Sequence, residues 1–157
     1  MRTEDHPAIG DETPAVDLAF RFTTALAARD AIALRSLFGS EVDFRGLTPG
    51  RVWEARTPDD LVRDVILGAW FEAGDAIQRI ESVQASHIGR RLRIGYRFQV
   101  SNADGCFTVE QQAFLDLTDG KITWLRVLCS GFIPVAGASA WAIVAGSADG
   151  PPEARQS

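Results

Sequence analysis

Among the side chains of this 157-residue chain that could move protons or orient polar ligands, five stand out by position: Asp43, Arg45, His87, Tyr96 and Gln111. Asp43 could serve as a base or position a water, and Arg45 or Arg51 could hold an anionic group or tune an acid. His87 is the one histidine outside the first twelve residues, and imidazole is the side chain that titrates nearest neutrality. Tyr96 and Gln111 fall on an otherwise apolar strand face, where each needs a partner if buried. A ligand in an apolar pocket could be that partner. The plainer alternatives are a solvated rim histidine and a Tyr96–Gln111 pair bonded to each other or to a helix end. No HExxH, His pair, carboxylate cluster or Gly-rich phosphate loop occurs, so neither a metal nor a nucleotide cofactor is expected. Ser130-Gly131 lacks the strand–turn–helix setting of a nucleophile elbow.

The elements that must hold these groups follow from pattern. Thr13-Pro14 starts a helix with a hydroxyl cap and proline at the first position. Val16, Phe20, Thr23 and Ala27 form a stripe, widened by Leu18, Phe22, Ala25 and Leu26. Asp30 caps a short helix, Ala31 to Phe38, with Leu34, Leu37 and Phe38 inward. EVDFRG and RVWEA are extended pieces around the turn LTPG, in which Trp53 would sit at a rim. Thr57-Pro58-Asp59-Asp60 opens a third helix, whose apolar side is Leu61, Val62, Val65, Ile66 and Trp70.

After Gly74 the period becomes two. Ile77 to Ile88 is a strand of imperfect alternation, and Gly89-Arg90 a tight hairpin. Arg91 to Asn102 alternates sharply, Cys106 to Leu117 follows, and Thr118-Asp119-Gly120 reads as a three-residue loop into a last strand from Lys121 to about Ile133. Helices followed by an antiparallel meander indicate α+β: three helices in the concave face of a strongly curved, mainly antiparallel sheet. The expected division is a flexible arm over 1–12, one domain over 13–134 and a disordered tail over 135–157, with WAIVA at 141–145 able to dock locally.

AFRFTTALAARDAIALRSLF at 19–38, GKITWLRVLCSGF at 120–132 and this element order resemble the nuclear-transport-factor-two-like superfamily, across residues 14 to about 134. That family includes ketosteroid isomerase, SnoaL-like polyketide cyclases, scytalone dehydratase and limonene epoxide hydrolase. The resemblance implies a cystatin-like cone with a small apolar ligand inside, and frequent dimerisation through the outer sheet face. Carried over from ketosteroid isomerase, the oxyanion-hole tyrosine falls on Phe22, the base near Arg45 or Gly46, and the neutral proton-donating acid on Ala113. None of these can supply a base or an oxyanion hole, so that isomerase chemistry is disfavoured.

The expected pocket is lined by Phe22, Trp53, Trp70, Phe98, Ala113, Leu125, Val127 and Cys129, with Ile94, Val109 and Leu115 on the same inner face. Arg79 and Glu81 share the phase of His87 on the first strand and could pair there. On the outer face Arg97 should lie beside Glu110, Phe114 beside Trp124 and Gln112 beside Arg126. Aromatics mixed with Arg mark that face as a homodimer interface. A net charge of −5 argues against nucleic acid, and no run approaches the ~20 apolar residues of a membrane span. No secretory h-region opens the chain, and Cys106 and Cys129 read as free thiols, so a cytoplasmic protein is expected. Two function classes remain: a cofactor-independent acid–base enzyme (cyclase, isomerase, dehydratase or epoxide hydrolase) on a polyketide- or terpenoid-like substrate, and a non-catalytic ligand-binding or dimerisation module.

Overall fold

The computed structural model describes residues 13–136, so the arm, the WAIVA segment and nearly all of the expected tail lie outside the described residues. Helix α1 (Thr13–Ala27) buries Ala15, Leu18, Ala19, Phe22, Thr23, Ala25 and Leu26. Val16 and Phe20 face solvent, at 36% and 54% exposure, so the buried stripe runs one position off the expected one. Two apolar stripes overlap on this helix, and the broader one takes the core. Asp30 caps α2 (Ala31–Ser36) by accepting from the Ala33 N–H at 3.0 Å. That helix ends two residues short of expectation because Phe38 already begins strand β1.

The third helix, Asp60–Trp70, starts where Thr57 Oγ1 accepts the Asp60 N–H at 3.1 Å. It is wound as a π-helix, and the Phe71 N–H reaches back five residues to the Ile66 carbonyl at 2.9 Å. Leu61, Val62, Val65, Ile66 and Trp70 are buried, as their pattern required. Two arginines fasten the helix at its ends. Arg35 meets Asp59 at 2.5 Å, and Arg29 donates to the Phe71 and Leu67 carbonyls at 2.7 and 3.3 Å, where a cation suits the negative helix terminus.

The sheet contains β1 (Phe38–Thr48), β2 (Arg51–Ala55), β3 (Ala76–Ile88), β4 (Arg91–Asn102), β5 (Gly105–Thr118), β6 (Lys121–Cys129) and β7 (Ile133–Pro134). Its order is β2-β1-β6-β5-β4-β3, with β7 on β5 and every pairing antiparallel except β1 with β6. The extended pieces before the third helix are therefore full members of the sheet. The last strand divides into β6 and β7 rather than running through to Ile133. The α+β class stands: α1 packs on β3 and β4, and the third helix on β2 and α2.

Two bulges in β3, between Ile77 and Arg79 and between Ile80 and Ser82, explain its poor alternation. The partly buried apolar positions become Ile77, Ile80, Val83 and Ala85, spaced three, three and two apart. Glu81 then approaches Arg97, at 4.0 Å, rather than Arg79. The β5–β6 hairpin turns on Asp119 and Gly120 alone, both at positive φ (52° and 77°), with Thr118 opposite Lys121. A bulge beyond Asp116 then restores the inward phase of Leu125, Val127 and Cys129. Across β5–β6, Phe114 consequently faces Arg126, Asp116 faces Trp124 and Gln112 faces Leu128. This shifts the expected Phe114–Trp124 and Gln112–Arg126 pairs by two residues.

Candidate functional site

The inner face of β4, β5 and β6 is densely apolar, with Ile94, Tyr96, Phe98, Val109, Ala113, Leu115 and Leu125 at 2% exposure or less. Tyr96 and Gln111 face each other directly across β4–β5, and the phenol donates to Gln111 Oε1 at 2.5 Å. Burial holds the Tyr96 phenol far above the ordinary tyrosine range, with Cys129 nearby adding to the effect, so it remains a neutral donor. Phe22 stacks against Tyr96 with ring centroids 5.8 Å apart, and Tyr96 against Phe98 at 5.1 Å. This part of the interior is filled.

The open space lies at one end of it. A cavity of about 280 Å³ is lined by Thr48 and Trp53 at the β1–β2 turn, by the Trp70–Phe71–Glu72 segment ending the third helix, and by Asp75, Asn102, Gln111, Cys129 and Phe132. Trp53 Nε1 donates to Thr48 Oγ1 at 2.8 Å, while the Arg51 guanidinium lies 3.6 Å above the Trp53 ring. Phe71 packs on Phe98 and Phe132 at 5.9 and 6.0 Å. Asp75 is a buried carboxylate that accepts from Asn102 Nδ2 and from the Glu72 N–H, each at 2.8 Å. Those bonds fix the turn between the third helix and β3.

Of the expected site residues, Trp53, Trp70, Gln111 and Cys129 line this cavity together. Phe22, Phe98, Ala113, Leu125 and Val127 are buried in the packed core instead. Asp43 and Arg45 are placed on the outer side of β1: Asp43 meets Arg126 at 3.2 Å, and Arg45 meets Glu54 at 3.0 Å. His87 is exposed opposite Leu92, four strand positions from Tyr96, or roughly 13 Å. The structure therefore does not gather Asp43, Arg45 and His87 around the Tyr96–Gln111 pair.

Gly46 sits on the inner side of β1, yet a Cβ there would lie 2.5 Å from Trp70 Cζ2. An indole thus occupies the space into which an isomerase-type carboxylate would project. Asp75 and Asn102 were not singled out from the sequence. A regular hairpin about Gly89-Arg90 would place Asp104 opposite Asp75. The two β3 bulges shift the register by two and bring Asn102 there instead. Among the described residues, no three His, Cys, Asp or Glu side chains gather as a metal ion would require.

No family model matches the chain, and no curated protein sequence matches it significantly. Solved structures do. An NTF2-like protein of unknown function from Mesorhizobium loti shares 21% identity with a TM-score of 0.57, over 80% of this chain and 98% of that one. An NTF2-like protein from Burkholderia xenovorans LB400 gives 12% and 0.56, over 75% and 90%. An LEH-like epoxide hydrolase from M. tuberculosis gives 14% and 0.55, over 75% and 84%. At these identities the likeness is one of fold.

Proposed function

We propose that this chain, which has the nuclear-transport-factor-two-like fold, binds a compact apolar small molecule in the cavity between Trp53, Trp70 and Phe132. The observation that carries this reading is the group of aromatic walls, Trp53, Trp70, Phe71 and Phe132, set among polar side chains that include Asp75, Asn102 and Gln111, at the open end of a packed interior. Structures of the same fold include an epoxide hydrolase, which supports a small-molecule role in general terms only. Ligand binding without chemistry is the better-supported version, because the Tyr96 hydroxyl is already engaged by Gln111 and neither Asp43 nor His87 lines the cavity. Catalysis is the second reading. It rests on Asp75, the one buried carboxylate among the described residues, which belongs to the lining.

One experiment serves both readings: melting in the presence of small terpenoid- and polyketide-like compounds, each then recovered and checked for chemical change. A ligand at ten times its Kd adds about 1.4 kcal/mol and raises the melting temperature by about 4 °C. Recovery unchanged supports binding, and conversion that disappears in Asp75→Asn supports catalysis. A panel without any shift contradicts both.

The outer face of the sheet belongs to the same proposal as a homodimer surface. It carries Arg97, Glu110, Gln112, Phe114, Trp124 and Arg126, next to the exposed apolar residues Leu47, Val52 and Leu128. The Arg91 and Arg126 guanidiniums lie 3.6 and 4.3 Å from the Trp124 ring centre, in a hollow of about 880 Å³. Arg and aromatics of this kind are what protein–protein patches concentrate.

A further inference from the structure

Two buried side-chain nitrogens among the described residues, Trp70 Nε1 and Gln111 Nε2, have no hydrogen-bond partner. Both are donors, both belong to residues at least nine-tenths buried (7% and 1% exposed), and both residues line the 280 Å³ cavity. The coincidence is chemically one-sided. Gln111 Oε1 already accepts from Tyr96, which fixes which end of the amide is the acceptor and leaves its NH2 unanswered. Leaving a buried donor unpaired is costly, and none of the acceptors in the lining, on Thr48, Glu72, Asp75 or Asn102, makes a hydrogen bond to either nitrogen.

The lining also limits charge. It contains two acidic residues, Glu72 and Asp75, and no basic one. Arg51 is held over the outer rim by the Trp53 ring. Bringing an anion beside the Asp75 carboxylate would cost Coulomb energy, and an ammonium group, which only donates, has no lone pair to offer the two N–H donors. Size is restrictive as well, since 280 Å³ is below the ~300 Å³ at which ordinary small-molecule pockets begin.

Resting on the binding reading above, we infer that the cavity selects compact, neutral, oxygen-bearing ligands of one or two rings, whose carbonyl or ether oxygen accepts from Trp70 Nε1, Gln111 Nε2 or both. A hydrocarbon of the same shape fills the apolar space but leaves the donors unpaired. A carboxylate of that shape meets the acidic lining. The two nitrogens thus act as specificity determinants, in a pocket whose walls alone would accept any small apolar body.

The test uses the full chain and three shape-matched probes: 4-tert-butylcyclohexanone, tert-butylcyclohexane and 4-tert-butylcyclohexanecarboxylate. Binding is followed by the indole N–H resonances in 15N-labelled protein, with Trp70 assigned from Trp70→Phe. The ketone should bind at least about tenfold more tightly than the hydrocarbon and should move the Trp70 signal, with the carboxylate weakest. Trp70→Phe and Gln111→Glu, the latter keeping an acceptor for Tyr96, should each reduce the ketone preference with folded spectra retained. Equal affinity for ketone and hydrocarbon overturns the inference and leaves the binding reading standing. Tightest binding by the carboxylate overturns the claim of neutrality. If none of the three binds at millimolar concentration, both the inference and the binding reading fall.

Discussion

At the scale of single residues, the Tyr96–Gln111 pair was legible because strict alternation on β4 and a tight turn after Asn102 put both on one face at one height. Their burial has a measurable consequence. Tyr96 is the only tyrosine in the chain, so absorbance of its phenolate at alkaline pH reports this one group. Its folded-state pKa is raised above the unfolded value of about 10, so the native state holds a proton that the unfolded state releases. The associated stability is complete below about pH 10 and falls above it, by at most ~1.4 kcal/mol per pH unit. The phenolate signal should therefore appear together with unfolding rather than before it. Tyr96→Phe should lack that part of the alkaline slope, and at neutral pH should lose about 1–3 kcal/mol because Gln111 Oε1 is left without its donor. Phenolate absorbance rising in a protein still folded by circular dichroism contradicts this picture. Asp75 shows the other side of legibility: its partner depends on how many bulges β3 contains, and imperfect alternation alone does not give that number.

At the scale of elements, the apolar positions of the third helix were readable and its winding was not. Leu61, Val65, Ile66 and Trp70 recur at intervals of four, one and four, which an α-helix and a π-helix satisfy almost equally. Gly68 distinguishes the two. In an ordinary helix, replacing an exposed glycine with alanine gains roughly 0.5–1 kcal/mol. Here an added Cβ would stand 2.3 Å from the Arg63 carbonyl oxygen, five residues back. Gly68→Ala should therefore destabilise the protein, by about 1–3 kcal/mol in urea unfolding. A gain in stability would show that the segment is wound as an α-helix. The β5–β6 hairpin carries a related lesson: the loop proved one residue shorter than its Thr-Asp-Gly signal implied, and a bulge compensated, so the inward set was predicted correctly from an incorrect register.

At the scale of the molecule, the element order and the resemblance between 14 and 134 were enough to anticipate the fold, because helix caps and strand periods are local signals. The pairing that completes the sheet, β1 alongside β6, was not anticipated, since parallel partners distant in sequence share no turn that could announce them. The outer face tests the assembly. The pairs Arg97–Glu110 at 2.7 Å and Arg91–Asp116 at 2.8 Å neutralise much of its charge, and the Glu110 carboxyl is held below its usual range chiefly by its hydrogen bond from Arg97. If this face joins two copies, the wild type should elute as a dimer at micromolar concentration and Trp124→Glu as a folded monomer. A monomeric wild type would remove the proposal.

The β1–β6 pairing also bears on how the chain is made. Residues 38–48 leave the ribosome long before residues 121–129, against which they must lie. Until then the β1–β2 hairpin has a bare edge and an apolar face that includes Val42 and Phe44. Closure waits for about eighty further residues, several seconds of synthesis at ordinary elongation rates of ~5–20 residues per second. For that interval the hairpin keeps an unpaired edge, and β6 is the strand that closes it.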